Sequence, residues 1–270
     1  MIDCGEGSQK QMRVYKTGMN KLHSIFISHL HGDHVLGLPG LISSLNLLGR
    51  TGDLNLYAHE EISHFLMPTL ESLCPHLSFR VNIIPLQQNG RNLLYENNSM
   101  RIFSFPLKHR IPTCGFLFEE KENPLRIKRE MIDFYQISIR DIKRIKAGED
   151  FLTSDGTVVK NKVLTYPSAP PRRYAYCSDT MYSPDIVGHV MGVDLLYHEA
   201  TFLDEDASRA RLTFHSTAKE AALIAKQAQV KKLLLGHYSS RYLQKEAFVQ
   251  EAKTVFANTD ASVEGMIIEL

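Results

Sequence analysis

Four potential metal ligands fall within six residues at His29-Leu30-His31-Gly32-Asp33-His34, directly after the apolar run Ile25-Phe26-Ile27-Ser28. The run reads as a buried strand. Side chains alternate along a strand, so four ligands cannot share one strand face. They can converge where a strand ends and the chain turns into a helix. His29 and His31 point the same way while the chain stays extended, and Asp33 and His34 come from the turn. Imidazole and carboxylate together suit zinc, manganese or iron. Three histidines and one aspartate at this spacing disfavour the alternative of surface histidines beside a turn.

The rest of the chain alternates short apolar strands with amphipathic helices. Strands are expected at Asn55 to Ala58, Met100 to Phe105, Cys114 to Phe118, Tyr174 to Cys177, Asp194 to Tyr197 and Lys232 to Leu235. Pro39 to Leu48 reads as a helix with proline in its first turn and Gly49 as its stop. Further helices are expected over His59 to Leu73, Thr217 to Gln229 and Leu243 to Phe256. Thr217 and Glu220 have the spacing of a capping box. This mixture predicts α/β layers packed around sheets. Such sheets carry their sites at strand ends, and His109, Asp179, Glu199 and His237 each stand at or just past one. Alone, none of these identifies a ligand. Beside the His29–His34 cluster they do, because two metals need more ligands than that cluster supplies.

Bulk properties narrow the class. With 270 residues and 43% hydrophobic content, the chain can bury a core without structural metals, so metal ligands point to chemistry. The net charge of +1 gives no general argument for nucleic acid. The four cysteines, Cys4, Cys74, Cys114 and Cys177, form no CxxC pair, and a reducing cytoplasmic setting is expected. The opening residues have no signal-peptide pattern, and no apolar run approaches the roughly 18 residues of a membrane span. Residues 121–163 are polar and without a sustained apolar face. Lys128, Arg129, Arg140, Lys143, Arg144 and Lys146 cluster there. The segment reads either as a solvated insertion or as an arm that grips phosphates.

The histidine motif resembles the signature of the metallo-β-lactamase superfamily. Further segments resemble one branch, the ribonuclease Z family of tRNA 3′-processing endonucleases. They are Met1 to Gln9, Gly37-Leu38-Pro39-Gly40-Leu41, His109 to Phe116, Ser178-Asp179-Thr180, His198-Glu199-Ala200-Thr201-Phe202, His215-Ser216-Thr217-Ala218 and Gly236 to Tyr242, in family order. The pairing of His215-Ser216-Thr217 with Ser239-Ser240-Arg241-Tyr242 is specific to that branch.

The resemblance implies an αββα sandwich over 1–270 with an inserted flexible arm at 121–163. It implies two Zn2+ per subunit, with Mn2+ or another divalent metal as the alternative. His29, His31 and His109 would hold one ion, Asp33, His34 and His237 the other, and Asp179 would bridge. Asp33 would also orient the attacking water. Asp3 would support a ligand loop. Glu199 and His215 would supply the leaving-group proton; His215 read alone fits equally a helix-start residue touching backbone. Ser239 and Arg241 are candidate phosphate contacts. Arg172 and Arg173 read as a basic rim or a solvated turn. The implied activity is cleavage of the 3′ trailer from precursor tRNA by a cytoplasmic homodimer with no membrane partner. A small-molecule phosphodiesterase and a catalytically silent tRNA-binding subunit are the alternatives.

Two departures stand out. Many bacterial members carry a Gly-Pro step in the arm, where this chain has Ser138-Ile139-Arg140-Asp141-Ile142-Lys143-Arg144-Ile145-Lys146-Ala147-Gly148. Members also have a few dozen residues ahead of the first motif, forming opening strands that this chain lacks. An unpaired sheet edge is therefore expected, with lower stability and a tendency to aggregate. Light scattering of purified protein with this sequence tests that expectation, and a monodisperse, folded sample refutes it.

Overall fold

A computed structural model describes residues 1–270, with the side chain of Asn20 outside the description. The chain divides into two compact units, one of residues 1–95, 102–118 and 173–270, the other of residues 96–101 and 119–172.

The larger unit is built on two sheets. The first has three parallel strands, Ser24–Phe26, Leu54–Ala58 and Val81–Pro85. The second has seven strands in the order Thr259–Ala261, Lys232–Gly236, Leu195–Glu199, Arg173–Cys177, Thr113–Glu120, Met100–Leu107 and Asn92–Glu96. Its first four strands run parallel. The helices Leu38–Leu47 and Ile62–Leu73 bury Leu38, Leu41, Ile42, Leu45, Ile62 and Leu66 against the smaller sheet. Helices Ile186–Val190, Ala218–Gln227 and Glu246–Lys253 cover the larger one. Between the sheets, Phe26 meets Phe116 and Phe118 with ring centroids 5.6 and 5.7 Å apart. The layering is therefore α/β/β/α. Strands buried on both faces lose the alternation of half-exposed ones, which is why Lys232–Gly236 and Leu195–Glu199 read as plain apolar runs.

Local signals explain several boundaries. Thr217 accepts from the Glu220 amide while the Glu220 carboxylate takes the Thr217 amide, completing the capping box. Gly49, at φ 75°, ends the first long helix. The last helix is shorter than its apolar pattern suggests and covers Glu246–Lys253. Strands Val81–Pro85, Asn92–Glu96 and Thr259–Ala261 give no clear sequence signal, being largely half-exposed or short. Met1 to Asp3 lie along Ser24–Phe26: Phe26 N–H donates to Met1 O (2.9 Å) and Asp3 N–H to Phe26 O (2.8 Å). That edge is paired over these residues rather than bare. Among the described residues no helix is long and apolar enough to cross a membrane.

The smaller unit corrects the reading of its sequence as lacking an apolar side. Ile137, Ile145, Val159 and Leu164 are buried together, with Ile127, Met131, Ile132, Tyr135, Ile142 and Phe151 packed on them. These residues come from helices Arg129–Tyr135, Ile139–Lys146 and Asn161–Leu164, from short strand pairs and, for Ile137, from the link between the first two helices, so no single period marks them. The stretch without the Gly-Pro step is a helix capped by the Ser138 hydroxyl, which accepts from Asp141 N–H at 3.2 Å. Gly148 at φ 103° lies just beyond its end. The unit is also wider than 121–163.

Two glycines bring the first loop against the histidine turn. A methyl group on Gly37 would stand 2.9 Å from the Cys4 carbonyl oxygen and closer still to that of Gly5. Backbone bonds run through the same contact, Cys4 N–H to His34 O at 2.8 Å and Gly37 N–H to Cys4 O at 2.9 Å. Gly37→Ala should therefore lower stability by about 1–3 kcal/mol in urea unfolding. Gly52→Ala, where an added methyl group meets nothing within 4 Å, should stay within about 0.5 kcal/mol. Equal effects would show that the close approach is not what the glycine serves.

Candidate metal centre

Strand ends deliver the predicted ligands to one place. His29 lies three residues past Ser24–Phe26, Asp179 two past Arg173–Cys177, Glu199 ends its own strand, and His237 follows Lys232–Gly236. His109 lies two residues past Met100–Leu107. One ligating atom each from His29, His31, His109 and Asp179 lie within 4.8 Å of one another; the same holds for Asp33, His34 and His237, and for Asp179, His215 and His237. Asp179 thus belongs to two groups. His237 has φ 58°, a conformation uncommon for a non-glycine residue.

Hydrogen bonds behind the rings fix which nitrogen faces inward. His109 Nδ1–H donates to Phe214 O at 2.8 Å, leaving Nε2 as a lone pair. That Nε2 lies 3.3 Å from His31 Nδ1, which in turn lies 3.0 Å from His29 Nε2. His34 Nδ1 is 2.8 Å from Asp3 Oδ2. Its Nε2 is buried without a hydrogen-bond partner, with Asp33 and Asp179 oxygens at 3.5 and 3.6 Å. Three converging ring nitrogens and an orphaned fourth beside two carboxylates are a donor set that fits divalent cations. The Asp33 side chain is 65% exposed while those of His29 and Asp179 are buried, so the cluster opens to solvent at Asp33.

Charges follow the same division. Burial, then the flanking His34, His31 and His109, push His29 down to about 2. Burial likewise lowers His109. Burial opposes a charge on His34, but the Asp3 and Asp33 carboxylates outweigh it and push it up to about 10. The same contest, won by Asp33, Asp179 and Glu199, raises His237 to about 8. The His237 and His34 imidazoles hold Asp33 well below the usual carboxylate range. Burial raises Asp179.

Next to this cluster, His215 Nδ1 lies 2.8 Å from Glu199 Oε1. Glu199 is fully buried. Burial works against its charge, yet His215 and the Thr180 amide keep it below its ordinary value. Ser239 and Arg241 stand on the turn just beyond His237, half-buried and exposed respectively. Arg172 is held by Glu120, its Nε 2.8 Å from Oε2, and Arg173 Nη1 donates to Met191 O at 2.9 Å. His198 is buried and bonds through Nδ1 to the Glu199 carbonyl at 2.7 Å. Sequence reading passed over Ser28, Tyr176 and Thr201. The Ser28 hydroxyl and the Tyr176 phenol donate to Asp3 Oδ2 at 2.9 and 3.1 Å. Thr201 stood inside a quoted motif, but nothing in its type marks a role.

Known proteins resemble this chain in sequence and in fold. Residues 1–122 match the family described as anti-Pycsar protein Apyc1. All 270 residues align at 51% identity with ribonuclease Z of Porphyromonas gingivalis, spanning 100% of this chain and 89% of that one. The chain belongs to the ribonuclease Z family. Ribonuclease Z of Phocaeicola vulgatus is 50% identical over 259 residues, 96% of this chain and 84% of that one. The crystal structure of the short form of human tRNase Z superposes with a TM-score of 0.69 at 25% identity, covering 99% of this chain and 86% of that one. YhfI of Bacillus subtilis, a metallo-β-lactamase fold protein, gives 0.64 at 19% identity over 98% and 84% of the two chains, a likeness of fold. This ribonuclease Z family member thus has the metallo-β-lactamase fold, and its His/Asp cluster is suited to divalent metal.

Metal ligands must be deprotonated to bind. At pH 7 an ion entering between Asp33, His34 and His237 displaces protons from His34 and His237, whereas His29 has none to lose. Raising the pH through about 8 removes the competing proton from His237 and tightens binding. Calorimetry at pH 7 in buffers of differing ionisation heat should show roughly one to two protons released at that site. Binding heats independent of buffer would contradict this charge assignment.

Proposed function

We propose that this chain is a zinc-dependent endoribonuclease that removes the 3′ trailer from precursor tRNA, leaving a tRNA 3′-hydroxyl and a 5′-phosphorylated trailer. The observation that carries this reading is buried Glu199 paired with half-buried His215, 2.8 Å apart beside the ligand groups, in a chain 51% identical over its full length to a ribonuclease Z. A metal cluster alone serves many hydrolases; a positioned proton donor beside it suits a poor leaving group.

His29, His31 and His109 would hold one ion and Asp33, His34 and His237 the other, with Asp179 grouped with residues of both sets. Two such ions supply Lewis-acid stabilisation of the phosphodiester and lower the pKa of water. Asp33, the exposed carboxylate of the set, orients the attacking water and takes its proton. As the water oxygen bonds to phosphorus, the bond to the 3′ oxygen breaks. His215 gives that oxygen its proton, with Nδ1–H anchored on Glu199 so that Nε2 faces the substrate. Ser239 and Arg241 steady a phosphate. Neutral imidazole and carboxylate donors suit zinc, and Mn2+ is the next candidate.

The smaller unit serves as the tRNA-gripping arm. Lys143 and Lys146, on one helix, line an open cleft of about 490 Å³ with Asn123 and Ser168. The working form is a cytoplasmic homodimer in which one subunit's arm serves the other's site. The four cysteines are free, as a reducing compartment requires.

Cleavage of a 3′-extended precursor tRNA by the metal-loaded protein tests the proposal. A single cut near the acceptor end is expected. Asp33→Ala and His215→Ala should each lower kcat by about 10²–10⁴-fold. Turnover of bis(p-nitrophenyl) phosphate without tRNA cleavage would move the function to small phosphodiesters. Tight tRNA binding with neither activity would mark a silent binding subunit.

A further inference from the structure

Thr201 lies two residues past the strand Leu195–Glu199, and its hydroxyl touches both halves of the site. Oγ1 is 2.8 Å from Glu199 Oε2, 3.0 Å from His237 Nδ1 and 3.2 Å from His215 Nδ1. A hydroxyl has one proton to give and two lone pairs, so these contacts can be sorted. With His237 Nε2 turned to an ion, the proton of its neutral ring sits on Nδ1, and Thr201 Oγ1 accepts it. The hydroxyl's own proton goes to Glu199 Oε2, a charged acceptor that is nearer than the competing His237 carbonyl at 3.0 Å. His215 Nδ1–H goes to Glu199 Oε1, its shorter contact at 2.8 Å.

This assignment satisfies every group. Glu199 Oε1 accepts from His215 and from the Thr180 amide at 2.9 Å. Oε2 accepts from the Thr201 hydroxyl and the Thr201 amide at 3.0 Å. A buried carboxylate thereby receives four hydrogen bonds, and buried polar groups left unpaired are costly. Giving the Thr201 proton to His237 instead would strand one Glu199 lone pair.

We propose that Thr201 is a positioning residue that holds His237 in its Nδ1–H form and ties it to the Glu199–His215 pair, so that one hydroxyl orients a metal ligand and the proton donor together. The inference rests on the metal reading proposed above. Groups that orient metal ligands from behind typically change metal affinity 10–100-fold when removed.

The test uses the full chain stripped of metal and titrated with Zn2+ by calorimetry, beside Thr201→Val, which keeps the shape and removes the hydroxyl, and Thr201→Ser, which restores it. Thr201→Val should weaken one of two ions about 10–100-fold and leave the other unchanged. With precursor tRNA its kcat should fall while KM holds, and Thr201→Ser should recover both properties. Two ions bound with wild-type affinity in Thr201→Val, or a serine variant no better than the valine one, would overturn the proposal. Nitrogen-15 NMR of the loaded wild-type protein gives a readout that needs no variant to fold. A proton on His237 Nδ1 supports the assignment, and one on Nε2 overturns it. A wild-type chain that takes up fewer than two ions would instead overturn the metal reading itself, and the role of His237 with it.

Discussion

The Asp3 carboxylate is the joint on which the site depends. Its Oδ1 accepts the Ser28 amide at 2.7 Å, and its Oδ2 accepts the Ser28 hydroxyl, His34 Nδ1 and the Tyr176 phenol at 2.9, 2.8 and 3.1 Å. Those partners come from the end of the smaller sheet, the ligand turn and a strand of the larger sheet. One anion therefore sets the register between the strand that delivers His29 and the strand that delivers Asp179. Asp3 adopts φ 50° to reach them, a conformation that costs free energy and persists only where surrounding bonds enforce it. The close approach of Gly5 and Gly37 clears the space that lets this loop sit against the histidine turn.

Behind the ligands lies an electrostatic problem. Asp179 and Glu199 are buried together, and burial alone disfavours the charge on each. The chain resolves it differently at the two carboxylates. Glu199 is held by four hydrogen bonds, one of them from His215. Asp179 has imidazoles on several sides, with His237 Nε2 at 3.2 Å and His29 Nε2 at 3.6 Å. A cation among those rings would take over the compensation that protons on His34 and His237 otherwise provide. Metal binding, ring orientation and proton inventory are thus one coupled property rather than three.

The two units are built differently. The larger unit places His29, His109, Asp179 and His237 just past strand ends, and the strands before Asp179 and His237 pair with a strand on each side. The smaller has a modest core and short elements, with its cations on a helix beside an open cleft.

By itself the sequence determined the layered α/β character and the ligand-rich strand end at His29–His34. Apolar runs bounded by turn residues are local signals, and six residues with four ligands leave few alternatives. The capping box at Thr217 and the stop at Gly49 were legible for the same reason. Only the tertiary structure decided the rest. His109, Asp179, Glu199 and His237 are far apart in sequence and individually ordinary; the motifs around them named them, but strand order alone shows how they are brought together. Ser28, Tyr176 and Thr201 carried no recognisable mark, since a hydroxyl's role is set by what it faces. The core of the smaller unit was hidden because Ile137, Ile145, Val159 and Leu164 come from separate short elements, and periodicity is a property of one element at a time. What local chemistry fixes can be read along the chain, and what depends on the meeting of distant strands cannot.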